Sequence, residues 1–169
     1  MSRCQHAMTF WCAVLWLVAG GGAARAVTPV IKDEAKFFSP DAVKKADKEI
    51  RDLYRQHGFD LLVETFPVVP GDQTEHVKAM SSAERGKFFR NWATERSELN
   101  VVNGVYILIT KEPAHLEIII TPKARRIIDQ EAFEKLRGQI LRQFRDKHFD
   151  EGLQGAVDFV RERVTARGK

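Results

Sequence analysis

Two apolar runs separated by four residues constrain the fold of this chain more than any other feature. They are VVNGVYILIT, residues 101–110, and HLEIIIT, residues 115–121. In the first run both alternating sets of side chains are apolar, which is typical of a strand covered on both sides. Because the intervening segment is short and contains Pro113, we predict that the two runs pair as a hairpin, with the first strand at the centre of a sheet.

The chain before this hairpin carries signals for a helix and then a strand. Ser39 followed by Pro40 is typical of a helix start, and Gly58 is typical of a helix end. Residues 59–66, FDLLVETF, have the composition of a strand. We expect Pro67 to end that strand, because proline has no backbone N–H to donate.

Further helices are predicted from capping signals and apolar stripes. Ser81 with Glu84 is a capping box, and Asp129 is the predicted N-cap of the helix that follows the hairpin. Each predicted helix has one apolar stripe that can pack on a sheet. The stripes are Phe88, Phe89, Trp92 and Ala93; then Phe133, Leu136, Ile140 and Phe144; then Leu153, Ala156, Val157, Val160 and Val164.

The order of these elements predicts the fold class. A strand, a helical crossover and a second strand form a βαβ unit, whose strands are parallel. Together with the antiparallel hairpin, this predicts an α/β fold, a three-layer α/β/α sandwich around a small mixed, partly parallel sheet. We place this single domain at residues 39–167, after an extended lead-in at residues 27–38 whose Ile31 can pair with a sheet edge.

The first 26 residues have the features of a secretory signal peptide. Arg3 is followed by the apolar run 10–19, which is too short to span a bilayer, and small residues lead to Ala26. We predict cleavage after Ala26, and therefore an exported protein, periplasmic or secreted, with no transmembrane segment after cleavage. The alternative is an uncleaved segment that serves as a membrane anchor.

Cleavage would also change the composition that matters for function. Cys4 and Cys12 both lie in the signal segment, so the mature chain would have neither disulfides nor a thiol nucleophile. The segment contains two of the 27 Lys and Arg residues, so 25 would face 23 Asp and Glu residues, a net charge of +2. Such mixed charge is not typical of a nucleic-acid-binding surface, and we predict no nucleic-acid partner.

With these elements in order, the chain from about Pro29 to Val164 resembles the TPM domain. This family is named from thylakoid-lumen, photosystem II and acetylcholine-receptor modulator proteins. The resemblance is carried by IKDEA at 31–35, the strand DLLVETF, Asn103-Gly104-Val105, and the closing segment 145–164. It implies a binding or complex-stabilising role, and for some plant members phosphomonoesterase activity.

One segment departs from the family pattern. After the second strand of the hairpin, the family has a Gly-rich loop that carries a Glu, whereas this chain has TPKARR at 121–126. A glycine loop exposes backbone N–H groups and permits positive φ, and Pro122 does neither. The function of that loop in the family is therefore in question for this chain.

Two aspartates are candidate metal ligands. The carboxyl ends of parallel strands are where α/β sheets place ligands, and we expect Asp129 there. Asp33 falls where the resemblance puts the family's acidic lead-in residue, and we predict that it joins Asp129 from another loop. A pair of carboxylates suits Ca²⁺, which takes oxygen ligands. In the alternative interpretation, Asp129 is only a helix N-cap and Asp33 is only a solvated loop residue.

The basic turn after the hairpin is a candidate anion site. Arg125 and Arg126, with Lys123, can hold a phosphate through charge-assisted hydrogen bonds, although runs of charge are often only solvated. No catalytic motif accompanies them: no two histidines have zinc-ligand spacing, and neither a Gly-x-Ser-x-Gly nor a phosphate-binding glycine loop occurs.

These observations leave two functions open. The first is an exported, non-enzymatic module that binds or stabilises an envelope or membrane-associated protein, with Ca²⁺ as a candidate ligand. The second is a weak acid phosphatase, a phosphomonoesterase dependent on a divalent cation, since the chain offers groups that hold a phosphate more readily than a nucleophile.

Overall fold

The computed structural model describes residues 31–167, in which four strands form one sheet. The elements in chain order are β1 (Ile31–Asp33), α1 (Pro40–His57), β2 (Asp60–Val68), α2 (Thr74–Ala79), α3 (Ser82–Leu99), β3 (Gly104–Glu112), β4 (His115–Ile120), a 3₁₀ turn (Ala124–Arg126), α4 (Gln130–Arg145) and α5 (Phe149–Arg167). The predicted signal peptide and residues 27–30 lie outside the described residues.

The sheet has the order β1-β2-β3-β4 and is mixed. β1 and β2 are parallel, as are β2 and β3, whereas β3 and β4 form an antiparallel pair. The predicted hairpin is therefore confirmed, with Val105 opposite Ile120. β2 and β3 occupy the interior of the sheet, so β3 lies at the centre as predicted. Ile31 pairs with β2, opposite Val63.

Helices cover both faces of the sheet, which confirms the three-layer α/β/α sandwich. One core lies under α1, α4 and α5 and includes Ile50, Ile107 and Leu136. The other lies under α2 and α3 and includes Phe89 and Tyr106. Because side chains alternate between the two faces of a strand, Val105, Ile107 and Ile109 enter the first core and Tyr106 and Leu108 the second.

The predicted helix ends are confirmed by their hydrogen bonds. The Ser39 side chain accepts a hydrogen bond from the Ala42 backbone, and Gly58 ends α1 with φ +58°. Ser81 and Glu84 form the reciprocal capping box at the start of α3, and Asp129 accepts a hydrogen bond from the Ala132 backbone at the start of α4. These bonds satisfy backbone groups that a helix end leaves unpaired.

Two parts of the chain differ from the predictions. β2 continues through Pro67 to Val68, because β1 ends at Asp33 opposite Thr65 and no neighbouring strand needs the missing N–H on that side. The pairing with β3 passes over Pro67, from Phe66 to Val68. The short helix α2 was not predicted, since it has no side-chain cap and contributes a single buried residue, Val77.

Candidate functional site

A groove of about 1380 Å³ opens at the end of β4, between α3 and α4. Ile119 and Ile120 line its floor, Thr94 and Glu98 belong to the α3 wall, and Phe133 belongs to the α4 wall. Clefts for small molecules commonly enclose about 300–1,000 Å³. This cavity is larger than that and has apolar and charged groups side by side, so it suits an extended ligand better than a small one.

The groove exposes the end of an edge strand. The backbone N–H and Oγ1 of Thr121 donate to the carbonyl oxygen of Gly104, at 3.0 and 3.1 Å, so these groups face β3. Neighbouring residues of a strand direct their backbone groups to opposite sides, so the backbone groups of Ile120 point away from β3, and its carbonyl oxygen accepts from Arg125 Nε at 3.4 Å. Residues 116–118 are buried, whereas Ile119 and Ile120 are only half-buried, which leaves the last part of β4 accessible.

Asp60 and Gly104 fix the loop that enters β3 beside the groove. The Asn103 backbone N–H donates to Asp60 Oδ2 at 2.6 Å, and a Cβ on Gly104 would lie 1.9 Å from the carbonyl oxygen of Asp60. Only glycine fits at that position. Burial raises the pKa of Asp60 above its usual 3.8, against the opposing effects of the Asn103 amide and of Lys123.

The basic turn after β4 closes the same end of the groove. Lys123 Nζ donates to the carbonyl oxygen of Gly58 at 2.8 Å, and Arg125 Nε donates to that of Ile120 at 3.4 Å. Both side chains line the groove, whereas Arg126 is exposed outside the lining. Among residues 31–167, neither Lys123 nor Arg125 forms an ion pair with a carboxylate. The groove therefore has cationic groups available at one end.

Comparison with known families adds the identity of the domain. Residues 31–163 match the family model of the TPM domain, whose name is TPM_phosphatase. The chain belongs to the TPM domain family. A comparison with curated proteins finds no match.

Solved structures with a similar fold include the following three. The N-terminal domain of a protein from P. gingivalis has a TM-score of 0.66 and 16% identity, with 83% of this chain and 84% of that one covered. The BA42 protein of Bizionia argentinensis has a TM-score of 0.53 and 17% identity, with 80% and 86% covered. The N-terminal domain of cg2496 from Corynebacterium glutamicum has a TM-score of 0.54 and 9% identity, with 85% and 81% covered. At these identities the similarity shows the fold.

In this TPM domain, Asp33 and Asp129 lie at opposite ends of the sheet. Asp33 ends β1 opposite Thr65, near the carboxyl end of β2. Asp129 follows β4, whose last residue Ile120 pairs with Val105 at the amino end of β3. We had placed both at the carboxyl ends of the parallel strands, but the antiparallel direction of β4 carries Asp129 to the other edge. The structure does not bring the two carboxylates together.

Each of these aspartates has a structural partner. Asp33 accepts hydrogen bonds from the backbone N–H groups of Phe37 and Phe38, at 3.0 and 2.9 Å, and from Thr65 Oγ1 at 2.5 Å. Asp129 caps α4 through the Ala132 N–H at 2.9 Å and also lines the groove. No group of three or more His, Cys, Asp or Glu side chains within 31–167 is arranged to hold a metal ion. Calcium binding stays a prediction.

A buried polar cluster whose residues do not line the groove lies under α3, and sequence reasoning missed it. Glu64 is fully buried on β2 and accepts hydrogen bonds from Arg96 Nε and Nη2, Lys32 Nζ and Tyr106 Oη, at 2.8, 2.6, 2.8 and 2.7 Å. Burial raises the pKa of Glu64, but these donors outweigh burial and hold the pKa below its usual 4.5. The one available signal was a Glu inside the apolar run DLLVETF. Because all four hydrogen bonds lie within the fold, we assign the cluster to folding specificity.

Proposed function

We propose that this TPM domain is exported and acts as a non-enzymatic binding module, with the groove at the end of β4 as its contact site. The partner is an envelope or membrane-associated protein. The observation that carries this proposal is the groove itself, which joins an apolar floor, an accessible strand end and two cationic groups that form no ion pair among the described residues. These are the groups that recognise a protein segment.

The distribution of polarity supports a protein ligand. Ile119, Ile120 and Phe133 are half-buried apolar groups that lose water contact when a ligand covers them. Thr94 and Glu98 on the opposite wall supply polar groups that can hydrogen-bond at the rim. An apolar centre with a polar rim is the usual arrangement of a protein interface.

Export is supported by the sequence of residues 1–26, which has the order of a cleavable signal. Within residues 31–167 no helix has the length and apolarity to cross a bilayer. N-terminal sequencing of the protein recovered from the periplasmic or secreted fraction tests the export proposal. A first residue of Val27 would support it, and a chain that retains Met1 in the cytoplasmic fraction would contradict it.

Site-specific photocrosslinking in cells tests the binding site. We would place a photoreactive residue at Thr94, inside the groove, and in a matched strain at Arg137, an exposed position on α4 outside the lining. We expect one dominant protein adduct at Thr94 and none of the same mass at Arg137. Equal adduct patterns at both positions, or no adduct at Thr94, would contradict the groove as the contact site.

Calcium is the ligand we propose to test alongside the partner. Asp129 lines the groove and offers a carboxylate oxygen, which a hard cation prefers. A ligand bound only to the native state raises the melting temperature, so a thermal melt with and without calcium measures binding directly. We expect the calcium-induced rise to vanish in Asp129→Asn and to persist in Asp33→Asn. No rise in the wild type would end the calcium proposal.

The alternative function is a phosphomonoesterase dependent on a divalent cation. Two observations favour it: the name of the matching family model, and the presence of Lys123, Arg125 and Asp129 around one groove. The assay is p-nitrophenyl phosphate turnover from acidic to neutral pH, with chelator and with calcium or magnesium. Turnover that falls in both Arg125→Gln and Asp129→Asn would establish the enzyme and overturn the non-enzymatic proposal. Turnover equal in all three proteins would exclude these residues as the site.

A further inference from the structure

Val101 has an unusual backbone and an unusual exposure at the rim of the groove. It lies just after α3 with φ +51°, the left-handed region, and its side chain is 77% exposed. Its N–H donates to the carbonyl oxygen of Glu98, and the Val102 N–H donates to that of Ser97. These two bonds define a Schellman ending of the helix, in which the left-handed position is usually glycine.

Valine is a costly residue at this position. A β-branched side chain crowds the backbone when φ is positive, and glycine does not. α4 ends in the same motif with Lys147 at φ +62°, where the Lys147 N–H donates to Phe144 and the His148 N–H to Gln143. The two helix ends therefore form a matched pair, but only the one at the groove has a β-branched apolar residue at the strained position.

Val101 is the exposed large hydrophobic residue that lines the groove. In the described part of the chain two others are exposed, Leu99 at 69% and Val68 at 45%, and neither belongs to the groove lining. A side chain as exposed as that of Val101 contributes little to the core, so packing within the fold does not account for a valine at this position.

We propose that Val101 forms the docking edge of the groove for an extended segment of the partner protein. The segment places an apolar side chain between Val101 and the floor at Ile120, and a carboxylate against Lys123 and Arg125. The two hydrogen bonds of the helix ending hold Val101 in its strained conformation before the partner arrives. This inference rests on the proposed function, which it deepens by naming the chemistry of the bound segment.

Charge and size favour this occupant over a second copy of the chain. Lys123 and Arg125 form no ion pair among the described residues, so a carboxylate on the segment would complement them. The Ile120 carbonyl oxygen already accepts from Arg125 Nε, so an extended chain would pair with the outward N–H of Ile120. A single exposed valine covers far less than the roughly 800 Å² that each partner contributes to a standard stable interface. Such an edge suits a short segment with one apolar anchor.

The decisive experiment uses a phage-displayed library of random octapeptides selected against the purified domain. We expect enrichment of peptides that combine an apolar residue with an acidic residue. A selected peptide is then synthesised and titrated against Val101→Gly and Lys123→Gln/Arg125→Gln, with Lys147→Gly, Leu99→Ser and Val68→Ser as controls. No enrichment, or enrichment of basic peptides, would overturn the inference.

Val101→Gly gives the readout that a purely structural role would not give. We expect it to raise Tm by a few degrees, as Lys147→Gly does, because both relieve left-handed strain. Only Val101→Gly should also weaken the peptide, by about tenfold. Equal peptide affinity in Val101→Gly and wild type would overturn the role of Val101, even if the crosslink at Thr94 still forms. A self-adduct at Thr94 would instead identify a second copy of the chain and refute the segment.

Discussion

Replacing Glu64 by Gln gives the sharpest test of how this fold is held together. The carboxylate is fully buried and accepts four hydrogen bonds, three of them from charged donors. Each hydrogen bond to a charged group contributes about 1.5–3 kcal/mol net, so four taken separately would give roughly 6–12 kcal/mol. That sum is too large, because the contributions are not additive and burying the carboxylate is itself costly.

The expected loss follows from what remains after the substitution. Breaking a buried ion pair by removing one partner costs about 3–5 kcal/mol. The side chains of Arg96 and Lys32 are 29% and 35% exposed, so water can reach them once the carboxylate is gone. We therefore expect a loss near the lower end, about 3 kcal/mol, or a fall in Tm of roughly 10 °C.

The assay is urea unfolding followed by tryptophan fluorescence and circular dichroism, with Glu49→Gln as the matched control. Glu49 pairs with Arg161 at the surface, where an ion pair contributes about 1 kcal/mol or less. The Glu64 pKa is lowered by folding, so its contribution is present above the usual pKa of 4.5 and is lost as the pH falls below it. The gap between wild type and Glu64→Gln should narrow on acidification. A loss no larger than that of Glu49→Gln, or a gap independent of pH, would refute the reasoning.

Three further predictions concern the sheet and its covering helix. Gly104→Ala should cost about 3 kcal/mol or more in urea unfolding, because the new Cβ would meet the Asp60 backbone at 1.9 Å; wild-type stability would disprove the close approach. Asp60→Asn should stabilise the domain at neutral pH, since burial raises the Asp60 pKa and Oδ1 has no hydrogen-bond partner among the described residues. This gain should shrink as the pH falls through the raised pKa toward 3.8, and a gain that grows instead would contradict the assignment. Trp92→Ala should lower the free energy of unfolding by about 3 kcal/mol, because Trp92 packs on Phe66 with ring centroids 4.9 Å apart. The expected loss is at the low end for an aromatic residue because Trp92 is only half-buried. A fully stable variant would show that the ring is not part of the core.

Sequence reasoning succeeded where the signal is local. The capping box at Ser81 and Glu84 is complete within four residues, and the alternation in 101–110 shows directly that both faces of β3 are covered. The start of β3 was less well predicted: it begins at Gly104, and Val101 belongs to the helix ending instead. A valine in the left-handed region has no sequence signature, because glycine or asparagine is the usual residue there.

The candidate sites were harder to predict because their partners are distant in sequence. Glu64 accepts hydrogen bonds from Arg96 and Tyr106, which lie 32 and 42 positions later in the chain. Nothing in the sequence around Glu64 predicts contact with either residue. The groove is likewise assembled from α3, the end of β4 and the start of α4. The sequence did single out Arg125 and Arg126, with Lys123, as an anion site, but it paired Asp129 with Asp33 and not with this basic turn.

By itself, the sequence determined the main helices and strands of this protein except α2, its three layers and its family resemblance, because periodicity, caps and strand composition act over a few residues. The tertiary structure alone decided which strand ends meet. β4 runs antiparallel to β3, so the turn after β4 lies at the amino ends of β2 and β3. There it contacts Gly58, just before β2, and lines the groove with the carboxyl end of α3. For that reason Asp129 lies beside Val101 and Lys123 in one groove, and Asp33 remains at the opposite edge.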